Sequence, residues 1–127
     1  MGINSKGPQR LLVTGGCGFV GSHVAVAFRQ DGWNVTCLDN LSRRGSEFTL
    51  QRVVAEGCRF VHADMRNYED LTRIEGAFDL IIECSAEPSV QMGQQGRDAL
   101  FMVNNNLMGT VVCLEYARQH HIPFIFM

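Results

Sequence analysis

The chain has 127 residues, of which 46% are hydrophobic and 19% are charged, and its formal net charge is −2. That length suffices for one domain with a buried core. The balanced charge, with no basic run, gives no electrostatic footprint for nucleic acid or for an anionic membrane. No stretch approaches the roughly 20 apolar residues of a membrane span, and the N-terminus lacks the apolar block of a signal peptide.

Five cysteines are spread widely along the chain, and no C-x-x-C pair occurs. An odd, dispersed set argues against both a disulfide framework and a zinc site. None of the four histidines stands at metal-ligand spacing from a cysteine or a carboxylate. We therefore expect reduced thiols that act as small apolar residues, no metal site and a cytoplasmic location.

Short apolar runs alternate with amphipathic stretches along the chain. The runs predict five strands, at 11–13, 35–38, 60–63, 80–82 and 124–127. Helical spacing of apolar residues predicts two helices between the first three strands, with inward faces formed by Val20, Val24 and Phe28 in one and by Leu50, Val53 and Val54 in the other.

Two further helices are predicted in the second half of the chain. Asn67 can cap a short one, and a long one follows a polar loop that contains Pro88, Gly93 and Gly96. The long helix carries Val103, Leu107, Val111 and Leu114 on one face. Regular alternation of strands and helices predicts an α/β fold, one domain over 1–127, with a doubly wound parallel sheet in the order 3-2-1-4-5.

A glycine triplet at 15, 18 and 21 lies where the first strand meets the first helix. Gly15 permits a tight turn, and Gly18 leaves room for a pyrophosphate to approach the backbone. Gly21 lets the helix pack closely on the strand. Unpaired N–H groups at the start of the helix would then meet the anion. A lone glycine triplet could also be a tight strand-to-helix turn without any ligand, but its position at this junction and the acid that follows at Asp39 support the binding interpretation.

Asp39 follows the second strand, where a carboxylate can accept hydrogen bonds from the adenosine ribose hydroxyls. The carboxylate would repel a 2′-phosphate, which favours NAD over NADP. Arg43 and Arg44 weaken that preference, because an arginine there can bind a 2′-phosphate. A Walker loop is disfavoured because no lysine precedes Ser22, and a methyltransferase glycine loop remains a minor alternative.

Five segments then carry a resemblance: Thr14-Gly-Gly-Cys-Gly-Phe-Val-Gly21, Asp39-Asn-Leu-Ser-Arg-Arg-Gly45, His62-Ala-Asp-Met-Arg-Asn67, Ser85-Ala-Glu-Pro-Ser89 and Asn106-Leu-Met-Gly-Thr110. In this order and spacing they resemble the extended short-chain dehydrogenase/reductases with a Rossmann-type fold, specifically the NAD-dependent epimerase/dehydratase family. The Asp39-Asn-Leu-Ser-Arg segment is most similar to CDP-paratose (CDP-tyvelose) 2-epimerases.

The resemblance implies NAD as cofactor and assigns its contacts by position. Asp39 would hold the ribose, Asp64 and Met65 would flank adenine, and Asn106 would anchor a helix. Glu87 matches an acid found in some sugar-nucleotide dehydratases. The expected cofactor residues, glycines included, are Gly15, Gly18, Phe19, Val20, Gly21, Asp39, Asn40, Leu41, Ser42, Arg43, Asp64, Met65, Cys84, Ser85, Ala86 and Asn105.

The same resemblance implies hydride chemistry through a Tyr-x-x-x-Lys pair, with a serine or threonine nearby, beyond the fifth strand. Tyr116 is followed four residues later by His120, and Lys6 is the only lysine. We therefore expect no catalytic residue in this chain, and a fragment that ends within or just after the fifth strand.

The expected function is the NAD-binding portion of a nucleotide-sugar epimerase or dehydratase, which is inactive alone. In the parent enzyme, a hydride would be removed from and returned to a sugar carbon, C2 of a CDP-sugar in the suspected subfamily. The alternatives are a non-catalytic NAD(P)-binding module, acting as redox sensor or partner subunit, and a dehydratase or reductase of another nucleotide sugar. The family commonly dimerises through the helix carrying Leu107 and Leu114, so a homodimer is possible but weakened without the partner helix.

Overall fold

The computed structural model describes residues 7–86 and 99–127. Its sheet contains five parallel strands in the order β3-β2-β1-β4-β5, which confirms the predicted fold class and strand order. The strands are β1 (Arg10–Thr14), β2 (Asn34–Asp39), β3 (Arg59–His62), β4 (Leu80–Glu83) and β5 (Phe124–Phe126).

Helices follow the strands in the order that the sequence predicts. They are α1 (Phe19–Gln30), α2 (Ser46–Ala55), α3 (Tyr68–Thr72), α4 (Ala99–Met102), a π-helical segment (Val103–Met108) and α5 (Gly109–Gln119). Asn67 caps α3, because its side chain accepts a hydrogen bond from the Glu69 amide. The predicted polar loop around Pro88, Gly93 and Gly96 lies outside the described residues, as does Glu87.

The central strand β1 contributes residues to both hydrophobic cores. Leu11 and Val13 belong to the core that α1 and α2 cover, with Val26 and Val53 among its members. Leu12, between them, belongs to the core on the opposite face, where α3 and α5 pack. Because successive strand residues point to opposite faces, one short apolar run contributes to both cores, and the sheet is covered by helices on each side.

The predicted inward face of α1 was wrong in its first turn. Val20 is 46% exposed, whereas the buried residues of α1 are Gly21, Ser22, Ala25 and Val26. Small residues occupy this face because the start of α1 lies against the turn that follows β1. Val24 and Phe28 are partly buried and pack against the same core, as predicted.

The long helix also presents a different face to the sheet from the one its apolar pattern favoured. Its buried residues are Gly109, Cys113, Tyr116 and Ala117, and the side chains of Val103, Leu107, Val111 and Leu114 are 45–57% exposed. A Cβ on Gly109 would lie 3.1 Å from the Met65 Cε, so the helix begins its approach to the core at a residue without a side chain.

All five cysteines are free thiols. Within residues 7–86 and 99–127, no helix is both long and apolar enough to cross a bilayer.

Helix α2 offers a matched pair of valines for testing which face is buried. The sequence predicts that both point inward, but Val53 is fully buried and Val54 is 51% exposed. We expect Val53→Ala to lower the free energy of unfolding by about 2 kcal/mol, since it removes two buried carbon groups and leaves a cavity. Val54→Ala should change it by less than about 0.5 kcal/mol. Urea denaturation measures both, and equal losses would contradict this orientation of α2.

Candidate functional site: a cavity at the carboxyl ends of the strands

A cavity of about 860 Å³ lies where β1, β2 and β4 end. Its wall includes Gly15 after β1, Asp39 at the end of β2 and Cys84 after β4. The strand order reverses at this point, because β2 and β4 flank β1 on opposite sides. In open α/β sheets ligands bind in such a crevice, and this volume lies within the usual range for small-molecule sites.

The turn after β1 depends on Gly15. Its φ of +64° lies in the left-handed region, which glycine adopts without strain. A Cβ there would also lie 2.8 Å from the carbonyl carbon and oxygen of Cys84. The Gly18 amide then donates to the Gly15 carbonyl at 2.9 Å, which closes the turn. Both the conformation and the close approach to β4 therefore require glycine at this position.

Gly16 and Gly21 allow the turn to pack between the sheet and α1. A Cβ on Gly21 would overlap the Gly15 carbonyl oxygen, and one on Gly16 would lie 2.5 Å from the Cys37 Cβ on β2. The sequence assigned Gly21 to close helix packing, which this geometry explains, and gave Gly16 no role. Because the turn has no side chains here, α1 begins directly above the end of the sheet.

The first amides of α1 have no acceptor among the described residues. Gly18 is the N-cap and offers no side-chain cap. The Ser22 amide donates to the Gly18 carbonyl, so Phe19, Val20 and Gly21 keep free N–H groups. Such orphan donors together with the helix dipole favour an anion by roughly 0.3–1 kcal/mol or more. Gly18, Phe19 and Val20 line the cavity at this point.

Asp39 closes the cavity beside the glycine turn. Its Oδ2 accepts a hydrogen bond from the Cys17 amide at 3.0 Å, and its Oδ1 accepts one from the Leu41 amide at 2.9 Å. The carboxylate is thereby fixed between the turn after β1 and the loop after β2. Each oxygen keeps further acceptor capacity, so Asp39 can receive hydrogen bonds from a ligand in the cavity.

The loop after Asp39 forms the next part of the wall. Asn40, Ser42 and Arg43 line the cavity, and the Asn40 Oδ1 accepts a hydrogen bond from the Ser42 amide at 3.0 Å. Leu41 has a φ of +56° and packs against the core rather than facing the cavity. Leu41 therefore anchors the loop to the core and does not contact a ligand in the cavity.

Asp64 lines the cavity just after β3, near Asn40 of this loop, and is held by Arg66. Both of its carboxylate oxygens accept hydrogen bonds from the Arg66 guanidinium, at 2.5 to 3.1 Å. These bonds hold the pKa of the Asp64 carboxyl below its usual value, against an opposing effect of partial burial. Met65 beside it is only 6% exposed and belongs to the core, while also lining the cavity. Asp64 is thus an ionised hydrogen-bond acceptor next to an apolar part of the cavity wall.

The far end of the cavity is formed by the turn after β4 and by the π-helical segment. Cys84, Ser85 and Ala86 line it from the first, and Asn105 from the second. Burial raises the pKa of the Cys84 thiol to about 11, with a contribution from nearby Glu83. The thiol therefore stays protonated at neutral pH.

Nearly every residue assigned from sequence faces this one cavity: all of the expected cofactor residues except Gly21 and Leu41 line it. The sequence did not assign several other lining residues, among them Cys17, Ser22, His23, Leu38, Ser46, Thr49, Arg52, Ala63, Phe101 and Met127. The spacing of Ser46, Thr49 and Arg52, three residues apart on α2, places them on one helix face and could have identified them.

The described residues contain no group of three His, Cys, Asp or Glu side chains that could hold a metal ion. Both tyrosines lie away from the cavity wall, with Tyr116 only 3% exposed in the core under α5. The site thus offers backbone amides, fixed carboxylates and small polar groups, which bind and orient a ligand.

A doubly wound parallel sheet with a glycine turn after β1 and an acid at the end of β2 defines a Rossmann-type fold. Residues 11–127 match the model of the NAD dependent epimerase/dehydratase family. The chain belongs to this family.

Three relatives illustrate the match. "Probable UDP-arabinose 4-epimerase 1" of Oryza sativa subsp. japonica is 35% identical over 126 residues, covering 94% of this chain and 30% of the relative. The CDP-paratose 2-epimerase of Salmonella typhi is 33% identical over 120 residues, covering 89% and 34%. The crystal structure of the Thermus thermophilus UDP-glucose 4-epimerase complex with NAD has a TM-score of 0.74 and 31% identity, covering 90% and 35%. The chain spans about a third of the length of these proteins.

The Gly21 contact can be tested with a matched glycine. In Gly21→Ala the new methyl group would overlap the Gly15 carbonyl oxygen, so the turn or α1 must shift. We expect a loss of about 1–3 kcal/mol in the free energy of unfolding, typical of overpacking. Gly7→Ala is the control, because nothing lies within 4 Å of a Cβ there. Thermal and urea unfolding measure both variants, and an unchanged Gly21→Ala would show that α1 packs less closely than described.

Proposed function

We propose that this cavity binds NAD and that the chain is the cofactor-binding part of an NAD-dependent nucleotide-sugar epimerase. The observation that carries the proposal is the set of free amides on Phe19, Val20 and Gly21, which open α1 beside the Asp39 carboxylate. A diphosphate fits the first feature and a ribose the second. One relative supports the same ligand, since the crystal structure of the Thermus thermophilus protein is a complex with NAD.

Each part of the cavity has a task in this proposal. The amides of α1 hold the diphosphate, and Asp39 accepts hydrogen bonds from the adenosine ribose. Asp64 and Met65 flank adenine, and Asn40, Ser42 and Arg43 complete that end. Cys84, Ser85, Ala86 and Asn105 surround the nicotinamide half. When bound, NAD supplies a hydride acceptor, and the protein supplies position and electrostatics.

In the parent reaction a hydride would leave a sugar carbon and return to its opposite face. We propose a CDP-sugar and its C2 as the substrate and centre, supported by the Asp39-Asn-Leu-Ser-Arg segment and by similarity to the Salmonella typhi relative. The 4-epimerase names of other relatives favour C4 of a UDP-sugar as the competing assignment. Product analysis with CDP- and UDP-sugars on the whole protein separates them.

A second candidate is a non-catalytic NAD-binding module. It is favoured by the position of Tyr116, which is buried in the core beneath α5 and so is not a candidate acid or base for a ligand in the cavity. We propose that the 127-residue chain alone has no turnover in either case. Turnover that appears when a separately expressed C-terminal half is added would favour the epimerase. A stable chain that binds NAD with no such complementation would favour the module.

The role of Asp39 is tested by Asp39→Asn, which keeps one acceptor oxygen and removes the charge. We expect NAD affinity to fall by about 1.5–3 kcal/mol, the usual loss for a hydrogen bond to a charged group. Asp31→Asn, at the exposed end of α1, is the control and should bind as wild type does. Isothermal titration calorimetry measures each Kd. If Asp39→Asn keeps wild-type affinity, Asp39 has no part in binding the ribose.

The same titration with NADP tests cofactor choice. Asp39 repels a 2′-phosphate, so wild type should bind NAD more tightly than NADP. Asp39→Asn should reduce this difference in affinity between the two cofactors. Arg43, Arg44 and Arg52 line the same wall, and none of them has an acidic partner within ion-pair distance in the described parts of the chain. Tighter binding of NADP than of NAD by wild type would show that these guanidinium groups outweigh the carboxylate.

We further propose that two copies of the chain associate through the exposed apolar side chains of Leu107, Val111 and Leu114. Their exposure of 45–57% on one helix supports this. Leu114→Ser should shift the sedimentation equilibrium toward monomer, because it removes apolar area from the contact. Phe48→Ser, at a residue 71% exposed on α2, is the matched control and should leave the equilibrium unchanged. A wild-type chain that stays monomeric at high micromolar concentration would contradict the proposal.

A further inference from the structure

The carboxyl group of Glu83 is the most deeply buried acidic group in the described residues and has no cation beside it. Glu83 ends β4 and is 1% exposed. No arginine or histidine nitrogen lies within ion-pair distance of it in 7–86 or 99–127. Burying a carboxyl group costs several kcal/mol unless hydrogen bonds compensate, so its partners identify what the residue does.

Those partners come from three different elements. Oε1 accepts from the Ser85 amide at 2.5 Å and from the Thr14 hydroxyl at 3.3 Å. Oε2 accepts from the Thr110 hydroxyl at 3.0 Å, and the same hydroxyl lies 3.1 Å from the Asn106 carbonyl. Thr14 ends β1 directly before the glycine turn, Ser85 is in the turn after β4, and Thr110 is in the first turn of α5. One carboxyl group therefore joins the end of β1, the turn after β4 and the start of α5.

The segment preceding Thr110 links these hydrogen bonds of Glu83 to the cavity. Asn105, which lines the cavity, lies in the π-helical segment directly before α5. Short π-helical turns inside α-helices are rare and occur often at functional sites. The bond between Thr110 and Glu83 fixes the start of α5 against β4. It thereby constrains the position of Asn105, which lines the cavity together with Ser85 and Ala86.

We propose that Glu83 is a positioning residue for the nicotinamide end of the cavity, where it holds the turn after β4 and the start of α5 in one rigid wall. The inference rests on the proposed NAD site and goes beyond it, because Glu83 does not line the cavity. Glu83 acts through Ser85 and Asn105, and the longest of its bonds, at 3.3 Å, is the one to Thr14 before the glycine turn. Its loss should therefore weaken binding of the whole dinucleotide more than binding of ADP.

The test compares NAD and ADP on wild type and on Glu83→Gln, which keeps the shape of the side chain and removes its ionisation. Calorimetry should show NAD affinity reduced about tenfold, as for the loss of one hydrogen bond to a charged group, with a clearly smaller loss of ADP affinity. Thr110→Val should weaken NAD binding in the same direction. Glu75→Gln, at an exposed glutamate, is the control and should leave both affinities unchanged.

Three results would overturn the inference, and they can be told apart. If wild type binds NAD and Glu83→Gln binds it equally well, Glu83 has no positioning role. If NAD and ADP lose affinity by the same factor together with a lower unfolding midpoint, Glu83 supports the whole domain instead. If wild type binds neither ligand, the proposed function fails and the inference fails with it.

Two readouts would not respond to a general structural role. Burial raises the pKa of the Glu83 carboxyl, while hydrogen bonds from Thr110, Ser85 and Thr14 oppose the rise. Protonation of the Glu83 carboxylate turns one accepting oxygen into a donor and so removes one of the hydrogen bonds that it accepts from Ser85, Thr14 and Thr110. Wild-type NAD affinity should therefore rise as pH increases through that raised pKa, and the Glu83→Gln profile should be flat there.

The nearby thiols do not confuse this interpretation, because burial raises the pKa of Cys84 to about 11 and that of Cys113 to about 12. Without any ligand, amide hydrogen exchange supplies the second readout. Ser85 should exchange faster in Glu83→Gln than in wild type, and the Gly16 amide, which donates to the Leu38 carbonyl, should not. Unchanged Ser85 exchange or a pH profile equal to that of wild type would each overturn the proposal.

Discussion

The structure depends on one bend of the backbone, between the end of β1 and the start of α1. A left-handed Gly15 and the absence of side chains at Gly16, Gly18 and Gly21 let α1 start directly above the sheet. The amides that α1 cannot pair internally then open into the cavity. Because these donors are backbone groups, their position is fixed by the sheet and by the packing of the helix, and no rotamer must be ordered when an anion binds.

Three hydrogen bonds to the two neighbouring strands hold that bend in place. The Gly16 amide donates to the Leu38 carbonyl of β2, and the Cys84 amide donates to the Thr14 carbonyl, which extends both parallel ladders past the end of β1. Asp39 adds a bond from its carboxylate to the Cys17 amide. Since each neighbouring strand holds the turn directly, a ligand meets a preorganised surface, and the helices on both faces serve to keep the sheet itself rigid.

Sequence patterns predicted the architecture well because they report local chemistry. Short apolar runs predicted the five strands, and their regular alternation with helical segments predicted the strand order. The glycine triplet with Asp39 predicted which ends of the strands form the site. The errors arose where packing overrides the apolar pattern. Val20 and Val54 fit an inward helical stripe, but α1 approaches the turn through Gly21 and Ser22, and α2 turns Val54 to solvent.

Other parts of the site depend on contacts between residues far apart in sequence. The bonds of Glu83 to Thr14 and Thr110 join positions separated by 69 and 27 residues, so no local pattern indicates them. The π-helical segment before α5 was likewise not predicted from the sequence. The Arg66 side chain that holds Asp64 was also missed, although it stands only two residues further along the chain.

The most direct measurement of the central claim is a titration of isotopically labelled protein with NAD, followed by the backbone amide signals in NMR spectra. A diphosphate held by the start of α1 should shift the amides of Gly18, Phe19 and Val20 most strongly and saturably, with smaller shifts near Asp39. A folded protein whose amide signals stay unmoved at millimolar NAD, or move only on surfaces remote from this turn, would contradict the account.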